Sequence, residues 1–230
     1  MTRKRAQREA RKIFRDYSLA ICGSVLVALF IRFFLIEAYR MPSRAMQPAV
    51  EPGDTLFVSK FAYGFRLPWN SSRLKAKNPN YGDVVVLEFP EELGRDYIKR
   101  VLALPGDTVS IEKGALILNG RKQTDIRNLN DLCATETLPS HTSYTVCFDP
   151  PILTTEKTIT VPANQVFVAG DLRSMPADGR RLRAAGLVPY SSLRGRAEFV
   201  WLSIQSPGNP NTGGDWFSRI RFNRIFKKIQ

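Results

Sequence analysis

The chain has 230 residues, of which 43% are hydrophobic and 24% charged, and this is the composition of a folded globular protein and not of a disordered one. Its formal net charge is +13, but the basic residues concentrate at the two chain ends, which argues against a nucleic-acid-binding domain built on one basic recognition helix. The sequence contains no glycine-rich phosphate loop, so nucleotide chemistry has no support either.

The first predicted element is an N-terminal membrane anchor. Residues 1–16 form a basic segment, and residues 17–37 follow as a predicted transmembrane helix in which the run 17–36 carries one charge, Arg32. About twenty apolar residues are enough to cross a bilayer as a helix. Because basic flanks stay in the cytoplasm, the rest of the chain is predicted to lie on the outer side of the membrane. A removable signal peptide is disfavoured, since no small-residue cleavage site follows the run.

Beyond the anchor, short apolar runs separated by turn residues predict a mainly β fold. The predicted strands are residues 55–59, 83–89, 97–104, 108–111, 115–118, 158–161, 165–169 and 197–204. They divide into a β core made of residues 38–118 and 158–206. Residues 119–157 are polar and lack apolar periodicity, so we interpret them as a smaller inserted lobe, and we interpret residues 64–82 as a second loop.

Three observations concern cysteine, histidine and cofactors. Cys133 and Cys147 both lie in the inserted lobe, and a disulfide between them is predicted because the compartment outside the membrane is oxidising; two free thiols are the alternative. His141 is the only histidine, which excludes an ordinary zinc cage and disfavours a Ser-His-Asp triad. No metal site and no cofactor are therefore expected.

Both chain ends are predicted to contact anionic lipids. Residues 207–230 form a basic tail in which aromatic and aliphatic residues alternate with positive charges, and each basic residue near a lipid surface contributes about 1 kcal/mol. Its basic residues in the last fifteen positions are Arg219, Arg221, Arg224, Lys227 and Lys228. A tail that is simply solvated remains the alternative.

Two short motifs carry the candidate chemistry. In an extended chain Ser43 and Ala45 would share one face, and Lys99 would come from a neighbouring strand. A hydroxyl at position 45 beside a neutral lysine would make a nucleophile with its base, and burial among apolar neighbours is what lowers the pKa of a lysine enough. A strand lysine whose ammonium reaches solvent is the ordinary alternative.

Five ordered motifs give the chain a resemblance to bacterial type I signal peptidase, which extends from about Ile31 to Leu202. The motifs are IRFFLIEAYRMPSRAMQPAVEPGDTLFVSKFAYG, YGDVVVLEFP, DYIKRVLALPGDTV, VFVAGDLRSMPADGR and GLVPYSSLRGRAEFVWLS. The resemblance implies an endopeptidase that removes signal peptides from exported preproteins, anchored once in the inner membrane of a bacterium with its domain on the periplasmic side. It also implies an antiparallel β core with an inserted domain. A monomer satisfies everything in the sequence.

The same resemblance assigns roles to individual positions. Ala45 occupies the position of the serine nucleophile, Lys99 that of the general base, and Ser43 that of a hydroxyl in the oxyanion hole. Small residues at the first and third positions before the cut would enter shallow apolar pockets, and the substrate would pair as an added strand. The candidates to line these pockets are Met41, Pro42, Met46, Tyr97 and Ile98.

The chain departs from the family pattern in two places. Ala45 has no Oγ, so acylation by the family's route is impossible for this chain. In the loop that begins with Gly170 and Asp171, the serine that helps to hold the lysine is replaced by Pro176. Other polar positions of that loop persist, and we expect Asp178 and Arg180 to hold it together with Gly170 and Asp171.

Two hypotheses therefore stand side by side. The first is a signal peptidase whose serine was deliberately replaced by alanine, which fits the retention of Lys99. The second is a natural, catalytically inactive homologue that acts as a membrane-tethered binding or regulatory module, which fits the altered loop. Ser43 as a substitute nucleophile is disfavoured, because two residues along a strand are roughly 6.6–6.8 Å. A self-cleaving repressor is also disfavoured, because no helix-turn-helix is found.

Overall fold

Strands dominate the structure, a computed structural model that describes residues 3–30, 36–40, 43–66, 73–74, 77–125, 132–155, 157–174, 185–205 and 217–229. The elements are α1 (Arg3–Phe30), β1 (Ile36–Arg40), β2 (Asp54–Ser59), β3 (Phe65–Arg66), β4 (Arg73–Leu74), β5 (Val84–Glu88), β6 (Asp96–Ala103), β7 (Thr108–Glu112), β8 (Ala115–Leu118), β9 (Arg121–Lys122), β10 (Thr124–Asp125), β11 (Cys133–Thr137), β12 (Ser143–Phe148), β13 (Ile159–Thr160), β14 (Gln165–Ala169), β15 (Leu172–Arg173), β16 (Ala185–Pro189) and β17 (Leu193–Ser203). Contacts divide the chain into two units, Met1–Glu37 and Ala38–Gln230.

The largest sheet has seven strands in the order β1-β2-β17-β5-β6-β14-β16, and the pairings from β2 to β16 are antiparallel. Its central strand β5 is buried on both faces: Val84 and Val86 pack into one hydrophobic cluster, and Val85 and Leu87 into another. Side chains alternate along a strand, so a continuous apolar run is what a strand covered on both sides requires. The mainly β prediction is confirmed.

All eight predicted strands are present with small shifts of their ends, and the structure adds strands that the sequence analysis did not predict. Two of these, β1 and β16, form the edges of the large sheet. Inside the predicted loop 64–82, β3 and β4 pair as a two-stranded sheet. These strands are short or poor in alternating apolar residues, so hydrophobic periodicity gave no signal for them.

The region interpreted as an inserted lobe contributes to two four-stranded sheets, β10-β11-β12-β15 and β13-β7-β8-β9. Both sheets bury side chains in one hydrophobic cluster, which also includes Phe167 of β14 and Ala185 of β16. The predicted disulfide is confirmed: Cys133 and Cys147 are directly opposite each other in the antiparallel pair β11 and β12, and their sulfur atoms are bonded.

The N-terminal helix α1 covers Arg3–Phe30. Within the described residues, no helix reaches the combination of length and hydropathy that a membrane span needs. Part of the predicted span 17–37 lies outside the described residues, namely positions 31–35.

The C-terminal residues 217–229 fold against the large sheet. They form two isolated bridges, Lys228 with Phe199 of β17 and Ile220 with Ile204, the residue after β17. Arg219 donates hydrogen bonds to the carbonyl oxygen of Gln205. Two further arginines of the segment form ion pairs with β2 and the turn before it. Three of the five basic side chains predicted to meet lipid therefore form contacts inside the fold: Arg221 and Arg224 with carboxylates, and Arg219 with a backbone carbonyl.

Candidate functional site

Ala45 lies in a turn between β1 and β2, not in the extended chain that the sequence analysis assumed. The amide of Gln47 donates to the carbonyl of Arg44 at 2.9 Å, and the amide of Val50 donates to the carbonyl of Met46 at 2.9 Å. Successive residues of an extended chain point to opposite faces, whereas Ala45 and Met46 both pack on the same hydrophobic cluster. The turn satisfies this packing, and the expected extended geometry is wrong.

Lys99 is the fourth residue of β6 and is directly opposite Val85 of β5. Its side chain is only 2% exposed. Burial penalises the charged ammonium and lowers the pKa of Lys99 to about 8, although the nearby carboxylate of Asp171 opposes part of the shift. A substantial neutral fraction is therefore present near neutral to mildly alkaline pH, as a general base requires.

Backbone contacts bring the Ala45 turn to the loop beside Lys99. Strand β14 pairs with β6 so that its last residue, Ala169, is opposite Arg100, the residue after Lys99. The amide of Leu172 donates to the carbonyl oxygen of Ala45 at 3.1 Å. A Cβ on Gly170 would lie 2.4 Å from that same oxygen, which explains why the position needs glycine.

A buried ion pair holds the loop in place. The guanidinium of Arg100 donates two hydrogen bonds to the carboxylate of Asp171, at 2.8 and 2.6 Å, and both side chains are fully buried. Arg100 also donates to the carbonyl of Gly82 at 3.0 Å and lies 3.9 Å from the ring centroid of Tyr144. Burial alone would lower the pKa of Arg100, but the charge of Asp171 and its hydrogen bonds raise it, so the guanidinium stays charged.

A second buried pair joins this loop to the disulfide-bonded hairpin. Arg173 donates to Glu136 at 2.6 Å and to the carbonyl of Gly170 at 2.9 Å. Glu136 also accepts a hydrogen bond from the hydroxyl of Tyr144. The two ion pairs therefore share Tyr144, which stacks on one arginine and hydrogen-bonds the partner of the other. The sequence analysis missed Arg100, Arg173 and Glu136; the signal was an arginine beside the candidate base on an otherwise apolar strand.

The remaining predicted site residues fall into three groups. Ser43 is exposed, and its Oγ accepts a hydrogen bond from the amide of Ala45 at 3.5 Å. Met46 and Ile98 are buried in the cluster on which Ala45 packs, and Tyr97 is half-buried with its hydroxyl donating to Glu92. Four predicted residues lie outside the described ones: Met41, Pro42, Asp178 and Arg180.

Comparisons with known proteins identify one family. A family model described as signal peptidase, peptidase S26, matches residues 14–202. A signal peptidase I of Pseudomonas aeruginosa is 33% identical, with 89% of this chain and 78% of the relative covered. One of Rickettsia conorii is 26% identical, with 99% of this chain and 96% of the relative covered.

A solved structure of a signal peptidase I from Enterococcus faecalis is 25% identical, covers 52% of this chain and 97% of its own, and superimposes with a TM-score of 0.33, too low to bear on the fold. The family match and the Pseudomonas relative each cover most of the chain. On these grounds the chain belongs to the signal peptidase family, peptidase S26.

Proposed function

We propose that this chain receives the signal-peptide region of exported polypeptides beside position 45 and holds it without cutting it. The observation that carries the proposal is Lys99, a fully buried amine with its pKa lowered to about 8 and with the backbone of Ala45 held against the adjoining loop. A buried lysine costs folding free energy, so a site that keeps one is a site built for proton transfer. Ala45 lacks the hydroxyl that would supply the proton.

With a serine at position 45, the same site would hydrolyse a peptide bond. The neutral amine of Lys99 would take the proton of the serine hydroxyl as the oxygen attacks the scissile carbonyl. The amide of residue 45 and the hydroxyl of Ser43 would donate hydrogen bonds to the oxyanion; those two groups already lie 3.5 Å apart. The protonated Lys99 would then return the proton to the leaving amine, which leaves the acyl group on the serine oxygen. A water molecule, deprotonated by the neutral Lys99, would attack this ester, and Lys99 would return that proton to the serine oxygen as the acid product leaves.

The residues around Ala45 would determine which side chains of a substrate fit the site. Met46 and Ile98 form an apolar floor under Ala45, which suits small side chains before the cut. Tyr97, together with Met41 and Pro42, would line the approach. The second candidate function is that of a natural, membrane-tethered module that regulates a partner protein and does not receive signal peptides for cleavage, and the proline at position 176 favours it.

Binding can be measured directly on the full chain in detergent with a fluorescent signal peptide that has alanine at the first and third positions before the cut. We expect saturable binding, and replacing the first alanine of the peptide by arginine should weaken it at least about tenfold, since an unpaired charge in an apolar pocket is costly. Ala45→Trp should fill the site and abolish binding, whereas His141→Trp, at an exposed turn, should not. Equal affinity of Ala45→Trp and the unaltered chain would rule out this site.

We further propose that α1 continues into a membrane anchor and that the C-terminal surface rests on anionic lipid. In support, α1 exposes many large apolar side chains, among them Phe14, Leu19, Ile21, Leu26 and Val27. At the other end, exposed aromatic side chains accompany exposed lysines, a combination typical of membrane interfaces. These residues are Trp201, Phe217, Phe222, Phe226, Lys227 and Lys228.

For the anchor, we expect alkaline carbonate to leave the chain in the membrane pellet, with the domain digested only by protease added to the periplasmic side. For the lipid surface, residues 38–230 should float with vesicles that contain phosphatidylglycerol, and Lys227→Gln with Lys228→Gln should weaken this flotation by roughly thirtyfold, at about 1 kcal/mol per lysine. Release of the full chain by carbonate would exclude the anchor. Flotation that does not depend on anionic lipid would exclude the second contact.

A further inference from the structure

The C-terminal segment 217–229 lies outside the part of the chain that the family model matches, which ends at residue 202. It nevertheless contacts the region of the candidate site. Strand β5 pairs only with the first part of β17, and beyond that part the C-terminal segment forms backbone hydrogen bonds with β17. The amide of Phe226 donates to the carbonyl of Val200 at 2.7 Å, and the amide of Val200 donates to the carbonyl of Lys227 at 2.9 Å. Ile229 packs on the hydrophobic cluster that holds Met46 and Val50. The segment is thus a structural neighbour of the Ala45 turn.

Arg224 makes the most extensive contacts of this segment. The residue is 7% exposed, and its guanidinium donates hydrogen bonds to both carboxylate oxygens of Asp54, at 2.6 to 3.2 Å. It also donates to Glu51 at 2.9 Å and to the carbonyl of Ala49 at 3.3 Å. One guanidinium therefore joins three points of the chain just after Ala45, and its planar, multiple-donor shape is what allows this.

Asp54, the main partner of Arg224, is itself held by the surrounding fold. It is fully buried at the start of β2, and it accepts hydrogen bonds from the hydroxyl of Ser203 at 2.7 Å and from the amide of Glu51 at 2.9 Å. Burial raises the pKa of Asp54, but the hydrogen bonds from Arg224 and these neighbours outweigh burial and hold it below the usual value. Arg221 reinforces the cluster through Glu51, Asp54 and the carbonyl of Pro52.

We propose that Arg224 is a positioning residue for the candidate site: through Ala49, Glu51 and Asp54 it fixes the turn that carries Ala45. The turn has only two backbone hydrogen bonds of its own between Arg44 and Val50 among the described residues. Because a short turn with so few internal hydrogen bonds is not rigid by itself, its position depends on contacts with the rest of the fold at its two ends. On one side the loop amide of Leu172 holds the carbonyl of Ala45, and on the other side Arg224 holds residues 49–54.

Hydrogen exchange on the full chain in detergent tests this. Arg224→Gln should accelerate amide exchange over residues 43–54 at least about tenfold, because the turn would open locally. Val146→Ala is the matched control: it creates a cavity in a different hydrophobic cluster, lowers global stability, and should change exchange of the turn less than about twofold. Arg224→Lys keeps the positive charge but lacks the several donors of the guanidinium, so it should raise the exchange rate of residues 43–54 by an intermediate amount. If Arg224→Gln does not fold, Arg224→Lys is compared with Val146→Ala in its place.

The second readout rests on the proposed function: the fluorescent signal peptide should bind Arg224→Gln at least about tenfold more weakly than the unaltered chain, and Arg224→Lys should recover part of the loss. Exchange of the turn no faster than in Val146→Ala would overturn the positioning role, and so would faster exchange with unchanged peptide affinity. If the unaltered chain binds no signal peptide, the proposed function fails, while the exchange comparison still decides whether Arg224 fixes the turn.

Discussion

Replacing Ala45 by serine is expected to turn this chain into a working signal peptidase. Incubated with a preprotein in detergent, Ala45→Ser should release mature product at least about 10³-fold faster than the unaltered chain, because loss of a serine nucleophile costs up to about 10⁶ in kcat in a well-studied serine protease. The dependence of kcat/KM on pH should rise as Lys99 loses its proton and level off above its pKa of about 8.

The controls for this gain concern the base and the loop. In the Ala45→Ser chain, Lys99→Met should return product formation to background, since methionine fills the same volume without an amine. Pro176→Ser added to Ala45→Ser should raise the rate by about 10- to 100-fold, as expected if the family's serine at this position improves the placement of the base. If neither Ala45→Ser nor Ala45→Ser with Pro176→Ser, both with Lys99 intact, released mature product, the enzymatic interpretation of the site would be contradicted.

Removing the carboxylate of Asp171 is expected to destabilise the fold strongly. Asp171→Ala would leave the guanidinium of Arg100 charged and fully buried without its partner, and breaking a buried pair in this way costs about 3–5 kcal/mol. Chemical denaturation, followed by tryptophan fluorescence, measures the change in the free energy of unfolding. The paired replacement Arg100→Met with Asp171→Leu should recover most of the loss, because it removes both charges.

A more exposed ion pair provides the comparison. Glu198 accepts a hydrogen bond from Arg196 at 2.9 Å, but both side chains are roughly one-third exposed. Glu198→Gln should therefore change the free energy of unfolding by less than about 1 kcal/mol. A loss for Asp171→Ala no greater than that of Glu198→Gln would mean that the buried pair does not anchor the loop beside Lys99.

The core strands could be predicted from the sequence because buried strands consist mostly of apolar residues. Strand β5 reads as an uninterrupted apolar run, since both of its faces are covered, and β6 carries apolar neighbours around Lys99. The disulfide followed from two cysteines in one polar region that was predicted to be exported. Edge strands such as β16 gave no such signal, because an edge strand has a neighbouring strand on one side only and its sequence is therefore less constrained to be apolar.

The site itself was only partly predictable. Its residues were identified from motifs, but the turn at Ala45 was not, since local hydrogen bonds and packing in the cluster that holds Met46 replace the extended chain that the motif suggested. The role of the C-terminal arginines was also missed. A run of alternating aromatic and basic residues is typical of a lipid contact, and only the fold shows that Arg224 meets the buried Asp54, 170 positions away in the chain.

The central claim is that Lys99 is a buried amine that faces position 45, and an NMR titration of isotopically labelled lysines in the full chain tests it most directly. The Lys99 signal, assigned by its loss in Lys99→Met, should titrate near the pKa of about 8. In Ala45→Asp it should titrate at least about one pH unit higher, because a carboxylate within about 4–6 Å stabilises the ammonium. A value of about 10.4, as for a solvated lysine, or the same value in both chains, would contradict the account.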